Sequence, residues 1–379
     1  MRVAFSGTGF VGHLLPMVPL MRAFLAAGHE VAVITSADLA PFLHREASAQ
    51  VTVLAAGPRA GVTMQRMEAD LGVSPASDPV PPVIAEFFAG QLVDAGLAEA
   101  LRTATDWGPD LVISEMLDHI GPFVAAVSGA PFYRHTFGPA RPQPLLDALQ
   151  RVAARRARLL HLPLAEPVAI IDIYPAAMQP GADLSAIRRI PLRPEIHRSA
   201  QPHALGASST AGGTRHRALV TFGTVFTDPD VRDRVADSLD PDRWDVVVTT
   251  GAETTPPPRA SRSYVPFTPL GDLLPGTDVV VTAGGAGTVL SALLAGVPMV
   301  VLPLGADHEI NAARAEEAGV AVVVRDAAQV GAAASRIAAD PGFLDRSARI
   351  AAQLQTLPPA AAVVAQLELE HRTAAHRAR

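Results

Sequence analysis

The 379-residue chain has no cysteine and no lysine. Without cysteine there is no disulfide, thiolate zinc site, thiol nucleophile or iron–sulfur cluster. Without lysine, all 31 basic residues are arginine. That excludes a Walker-A phosphate loop, a pyridoxal-phosphate Schiff base and a lysine general base. Asparagine occurs once, as Asn311, so no N-glycosylation sequon exists. Scarce Lys and Asn beside abundant Ala, Arg, Gly and Pro fit a high-GC bacterial genome. The net charge is −6, from 31 basic and 37 acidic residues spread along the chain. No basic face is implied, and nucleic acid is not an expected partner. No uninterrupted apolar run reaches the roughly 18 residues of a membrane span, so no membrane partner is expected. Met1-Arg2-Val3-Ala4-Phe5 opens directly into a strand pattern without an apolar leader, and a cytoplasmic location is the expectation.

Apolar residues make up 49% of the chain and charged residues 18%, enough to bury large cores. The length favours two domains. In the first half, 2–6, 30–35, 51–55, 110–114 and 131–135 read as buried strands. Helices are expected over 14–27, 92–104 and 120–128, with Gly28 and Gly129 as stops. Residues 57–95, with Pro and Gly clusters around Pro75–Pro82, read as a less regular, functional insertion. A proline-rich loop and an arginine-rich helix fill 138–165. Arg151, Arg155, Arg156 and Arg158 on it read as a solvated face.

Small and polar residues around 195–217 mark a linker. A second β/α alternation follows. Its strands are expected at 218–222, 245–250, 278–282, 299–302 and 320–324, and a helical tail over 327–375. The expected architecture is α/β: two Rossmann-like, doubly wound domains facing across a cleft. The boundaries are 1–203, a linker at 204–217, 218–355, and a C-terminal helix over 356–379 that returns to the N-terminal domain.

Two glycine turns carry the chemistry. Gly7-Thr8-Gly9-Phe10-Val11-Gly12 matches the Gly-x-Gly-x-x-Gly dinucleotide fingerprint between a strand and a helix. Asp38 is a rough candidate for the ribose carboxylate. The same glycines also suit a tight turn with another use. His13 follows at the mouth of the helix, at the carboxyl edge of the sheet where ligands bind in such folds. It is either a general base or a helix cap. A base needs an orienting acid. Glu115 lies nearest the end of the 110–114 strand, and Asp118 is the alternative unless it caps the next helix.

The second turn, Gly284-Gly285-Ala286-Gly287-Thr288, also lies between a strand and a helix, and reads as a phosphate cradle. Asp307 and His308 stand at the next strand-to-helix turn, with Asn311 four residues after Asp307. They suit vicinal sugar hydroxyls, with capping the plainer role for Asp307. Gly223 and Thr224 offer another phosphate contact. No Gly-x-Ser-x-Gly elbow appears, which argues against a serine hydrolase.

Together these residues resemble the family-1 glycosyltransferases of the GT-B fold, in particular the bacterial enzymes that decorate antibiotics and other natural products. The residues that carry the likeness are Gly12-His13, Thr221-Phe-Gly-Thr-Val-Phe, Tyr264-Val-Pro-Phe, and the block from Asp278 through Gly296-Val-Pro to Asn311-Ala-Ala-Arg. The resemblance implies an inverting transferase that moves a sugar, commonly a deoxysugar, from a nucleoside diphosphate to an apolar aglycone. It implies His13 as base with Glu115 as its acid. It also implies a TDP-sugar or UDP-sugar donor and no cofactor or metal. Val265 and Phe267 would lie at the nucleotide base. Phe10, Gly12, Phe87 and Phe137 would lie on the acceptor side, where 61–95 and 134–165 shape the pocket. A homodimer is compatible with it.

Two positions depart from the family pattern. Ala283 stands where a histidine ordinarily donates to the diphosphate, and His308 where glutamine is common. The first keeps open a non-catalytic GT-B protein that binds a nucleotide or partner. A nicotinamide or flavin oxidoreductase rests on the first glycine turn alone.

Overall fold

The computed structural model describes residues 1–179, 187–198, 215–223, 228–251, 261–305 and 307–377. Thr224, one of the expected phosphate contacts, lies outside them, as does most of the expected linker.

The described residues form two compact units. The first takes those of 1–173, 182–194 and 357–379, and the second those of 174–181 and 195–356. His216 and Arg217, expected in the linker, already belong to a strand.

The first unit holds β1 (Arg2–Ser6), β2 (Glu30–Thr35), β3 (Thr52–Ala55), β4 (Leu111–Glu115), β5 (Phe132–His135), β6 (Ala169–Asp172) and β7 (Arg189–Pro191). They pair in the order β3-β2-β1-β4-β5-β6-β7. The second unit holds β8 (His216–Thr221), β9 (Trp244–Thr249), β10 (Arg262–Val265), β11 (Val279–Thr282), β12 (Met299–Val301) and β13 (Ala321–Val323), in the order β10-β9-β8-β11-β12-β13. Every strand pair is parallel. Parallel strands covered by helices on both faces must be apolar throughout. Val3-Ala4-Phe5 and Val279-Val280-Val281 are accordingly inaccessible to solvent.

In both sheets the strand order reverses beside the first strand, between β1 and β4 and between β8 and β11. Ligands bind at such switch points, outside the carboxyl ends of the strands. Ser6 pairs with Ser114, and Thr282 with Thr221. The turn after β1 therefore meets the end of β4, and the turn after β8 meets that after β11.

The expected 14–27 helix is broken. Val11–Leu14 is α-helical, Leu15–Met17 is a 3-10 turn, and Val18–Ala26 is α-helical again. Pro16 and Pro19 lack the N–H groups that a continuous helix needs. Residues 57–95, expected to be irregular, are largely helical. They form helices Ala60–Leu71 and Pro81–Ala85 and a π-helical turn, Glu86–Gln91, that runs on into Leu92–Trp107. Pro81 and Pro82 occupy the first helical positions, where proline starts a helix instead of breaking one. Strands β6, β7 and β10 have no counterpart in the sequence reading. They are three or four residues long, and Arg189 of β7 pairs with Asp172 of β6.

The C-terminal helix Ala360–Arg377 packs on Val18–Ala26 in the first unit. Val363, Val364 and Leu367 form its buried stripe. Polar pins flank the stripe: His29 Nε2 lies 2.6 Å from Glu368, and Arg188 and the Tyr133 hydroxyl both reach Glu370. Burial pushes the Tyr133 phenol well up, and the Glu370 carboxylate adds to it. Leu367→Ala removes a side chain that is 1% exposed. It should destabilise the first unit by about 2–5 kcal/mol. Denaturant unfolding read by tryptophan fluorescence measures this, and a loss below about 0.5 kcal/mol would show that the helix is not integral to the core.

Candidate functional site

The turn after β1 is fixed by close approach. A Cβ on Gly7 would stand 2.5 Å from Leu14 Cδ2, and one on Gly9 would stand 2.7 Å from the backbone nitrogen of Ala60. Gly9 admits the protein's own backbone at Ala60, and Gly7 the end of the Leu14 side chain. Asp38, the ribose candidate, lies on an exposed 3-10 turn. Gly12 has nothing within 4 Å of its Cβ position.

His13 and Glu115 meet here. The imidazole Nδ1 lies 3.0 Å from Glu115 Oε1, and Glu115 is completely buried. The Thr8 hydroxyl donates to the same oxygen at 3.0 Å and stands 2.9 Å from Nδ1. Leu117 N–H donates to Oε2 at 2.6 Å. Burial pushes the Glu115 carboxyl up, but His13, Leu117 N–H and Thr8 outweigh it and hold the group below its ordinary value. An ionised carboxylate only accepts, so the network assigns the histidine proton to Nδ1 and the lone pair to Nε2.

Aromatic rings surround this imidazole. Phe137 lies 4.2 Å from it, Phe10 5.4 Å, and Phe88 stacks on it at 5.8 Å and 18°. Phe87 is wholly buried and faces Phe10. Phe88, its neighbour, is the ring on His13. The sequence reading missed it because adjacent aromatics in one helix carry no signal of which one faces a site.

Asp118 accepts from the N–H groups of Ile120 and Gly121 at the head of helix Gly121–Ser128. That is the capping role, and no contact between Asp118 and His13 is formed. Burial and then the Glu115 charge push its carboxyl up to about 6. His119 stays neutral, pushed down to about 3 by burial and the Arg134 guanidinium. Arg134 of β5 ties the loop to the sheet by donating to the Asp118 carbonyl at 3.0 Å.

In the second unit the cradle is built from the end of β11. Gly284 takes φ +98°, and a Cβ there would stand 2.9 Å from Val301. Asn311 Nδ2 donates to the Gly284 carbonyl at 2.8 Å, and the Thr282 hydroxyl accepts from Gly284 N–H. Gly285 caps helix Ala286–Ala295. A Cβ on Gly287 would meet nothing within 4 Å, so its backbone can be approached. Thr288 is half-buried on the first turn of that helix. His308 Nδ1 accepts from Leu304 N–H at 3.3 Å, which puts the ring proton on Nε2. Nε2 lies 3.9 Å from the Cβ position of Gly285. Asp307 precedes helix His308–Glu317 without a side-chain bond to its N-terminus. Gly223 is exposed with φ +74°, the Val265 carbonyl accepts from Thr250 N–H, and the Phe267 ring is 55% exposed. Ala283 is 1% exposed and packed in the core of this unit. Among the described residues, no three His, Cys, Asp or Glu side chains cluster so as to hold a metal ion. No helix among them is long and apolar enough to cross a membrane.

Two parallel α/β sheets with these switch points define a GT-B glycosyltransferase. The chain belongs to the erythromycin biosynthesis protein CIII-like family: residues 22–193 match its N-terminal domain and 244–369 its C-terminal domain. It is 32% identical to the L-demethylnoviosyl transferase of Streptomyces niveus, over 98% of this chain and 99% of that protein. It is 30% identical to the elloramycin glycosyltransferase ElmGT of Streptomyces olivaceus, over 97% of each. The structure matches that of the Streptomyces sp. SF2575 glycosyltransferase SsfS6 in complex with thymidine diphosphate. The TM-score is 0.80 and the identity 27%, over 97% of this chain and 99% of that one. The protein is a natural-product glycosyltransferase that uses a nucleotide-sugar donor, so the oxidoreductase and non-catalytic readings fall away.

The position of Asp118 predicts a pH effect. Its carboxyl titrates near 3.8 when unfolded and about 6 when folded. In that window the folded state keeps a proton that the unfolded state loses, so stability falls as pH rises through it. Asp118→Asn cannot titrate and keeps an acceptor for Gly121 N–H. Between pH 4 and 7 the wild type should lose about 2 kcal/mol relative to the variant. Urea unfolding across that range checks this, and parallel curves would overturn it.

Proposed function

We propose that the first unit binds an apolar aglycone and that His13 is the general base of an inverting sugar transfer. The observation that carries this reading is the bond from His13 Nδ1 to the buried Glu115 carboxylate, which leaves the Nε2 lone pair as the basic site. Nε2 takes the proton of an acceptor hydroxyl. The oxygen attacks the anomeric carbon, the bond from that carbon to the diphosphate oxygen breaks, and the nucleoside diphosphate leaves with inversion. Phe10, Phe88 and Phe137 keep water from the imidazole and favour an apolar acceptor. The apolar setting also strengthens the Glu115–His13 attraction as charge develops on the ring.

The second unit, in this reading, holds a thymidine diphosphate sugar, with a deoxysugar as the donor type. Backbone N–H groups at Gly285 and Gly287 receive the diphosphate, a role suited to a helix N-terminus. His308 Nε2–H takes the part that Ala283 cannot. A relative supports this donor type: a TDP-daunosamine transferase of Streptomyces peucetius. Gly223 adds to the cradle, Val265 and Phe267 contact the base, and Asp307 meets sugar hydroxyls. The reaction is cytoplasmic.

His13→Ala should lower kcat by about 10²–10⁴-fold while donor affinity stays within about twofold, and Glu115→Gln should lower kcat in the same sense. Steady-state kinetics beside calorimetric donor titration separate the two quantities, and equal losses in both would remove His13 from the base role. His308→Ala should weaken thymidine diphosphate binding about tenfold or more, as expected for a lost hydrogen bond to a charged group. An unchanged calorimetric Kd would move the diphosphate away from His308.

A further inference from the structure

Arg156 departs from its arginine-rich helix. Arg151, Arg155 and Arg158 on Gln143–Leu160 are exposed, whereas Arg156 is buried. Its Nη2 donates to Glu86 at 2.7 Å, and Nε and Nη2 fork onto the Asp94 carboxylate at 2.9 and 2.8 Å. Glu86 is the first residue of the π-helical turn Glu86–Gln91, and Asp94 lies just beyond its end. One guanidinium therefore spans the whole turn. Gly90 makes room for it: a Cβ there would stand 2.6 Å from Glu86 Oε1 and 3.1 Å from Arg156 Nη2.

A π turn carries one more residue than an α turn. Such turns are rare and concentrate at functional sites. If this one relaxed to α geometry, the residues before it would rotate by about 100° relative to helix Leu92–Trp107. Phe87 and Phe88 lie inside the turn, and Phe88 is the ring stacked on His13.

We propose that Arg156 is a positioning residue: by bridging Glu86 and Asp94 it locks the π turn and holds Phe88 over His13. It thereby fixes one wall of the acceptor site from a helix that does not touch the imidazole. The consequence for turnover rests on the proposed role of His13, but the clamp itself does not.

The test uses the full chain labelled with 13C-histidine, with the His13 signal assigned by its loss in His13→Gln. In Arg156→Met the His13 ring protons should lose the shielding of the stacked Phe88 ring and move downfield. Calorimetric affinity for thymidine diphosphate should stay at the wild-type value. Arg156→Lys should give an intermediate shift, because an ammonium cannot fork onto one carboxylate while reaching the other. Arg155→Met, on the exposed face, should leave the signal in place. An unmoved His13 signal in a folded Arg156→Met protein would overturn the proposal, as would an equal shift in Arg155→Met. Should Arg156→Met not fold, Asp94→Asn carries the same test, with a downfield shift expected and an unmoved signal overturning the clamp. Failure of the wild type to bind thymidine diphosphate would instead count against the functional reading, with the His13 signal still reporting on the clamp.

Discussion

The first unit's site depends on one buried charge, the Glu115 carboxylate at the end of β4. A fully buried ionised carboxylate costs several kcal/mol unless it is paired and hydrogen-bonded. Here the compensation comes from the Thr8 hydroxyl, Leu117 N–H and His13 Nδ1. Each partner depends on the sheet. The β1–β4 register sets Ser6 beside Ser114, so the turn bearing Thr8 and His13 closes over Glu115. Gly7 lets the Leu14 side chain pack close, its Cδ2 2.5 Å from where a Cβ would be. Loss of any one donor would leave a charge with little water to solvate it, which couples the stability of this edge to its chemistry.

The parts of this arrangement differed in how plainly the sequence wrote them. His13 and Glu115 were readable because a strand–turn–helix pattern and a five-residue apolar strand each put them at the carboxyl edge. Asp118 was ambiguous in sequence, since a carboxylate three residues past a strand end can orient a base or cap a helix. Only the bonds to Ile120 and Gly121 decide it. The π turn was invisible, because its composition is that of the α-helix around it. Of the residues that suggested an irregular loop, Pro81 and Pro82 start a helix, and Gly90 leaves space for Arg156. Arg156 itself could not be told from Arg155 and Arg158 without knowing which side of the helix meets Glu86. Strands β6, β7 and β10 went unread: they are three or four residues long, and β7 and β10 lie at sheet edges.

The second unit shows how a departure from a family pattern can be absorbed. Ala283 is packed in the core behind β11. It is 1% exposed, so a histidine at that backbone position would have to displace the packing around it. His308 meanwhile is oriented by Leu304 N–H toward the glycine cradle. The donor that the strand end lacks can thus come from the next helix along, held at the same edge by the Asn311–Gly284 bond.

The two units use one topology to opposite ends, and the space around their glycines distinguishes them. Both place a glycine turn at the switch point between the first and fourth strands of a parallel sheet. In the first unit the protein's own atoms occupy the Cβ positions of Gly7 and Gly9. That turn is packed against the protein itself, and it presents His13. In the second unit a Cβ on Gly287 would meet nothing within 4 Å and one on Gly285 only His308 Nε2 at 3.9 Å, and the helix behind them offers unpaired N–H groups to an anion. A Gly-x-Gly-x-x-Gly string therefore does not by itself report a nucleotide site. What it reports depends on whether Leu14 and Ala60, or nothing, fill the room that the missing side chains leave.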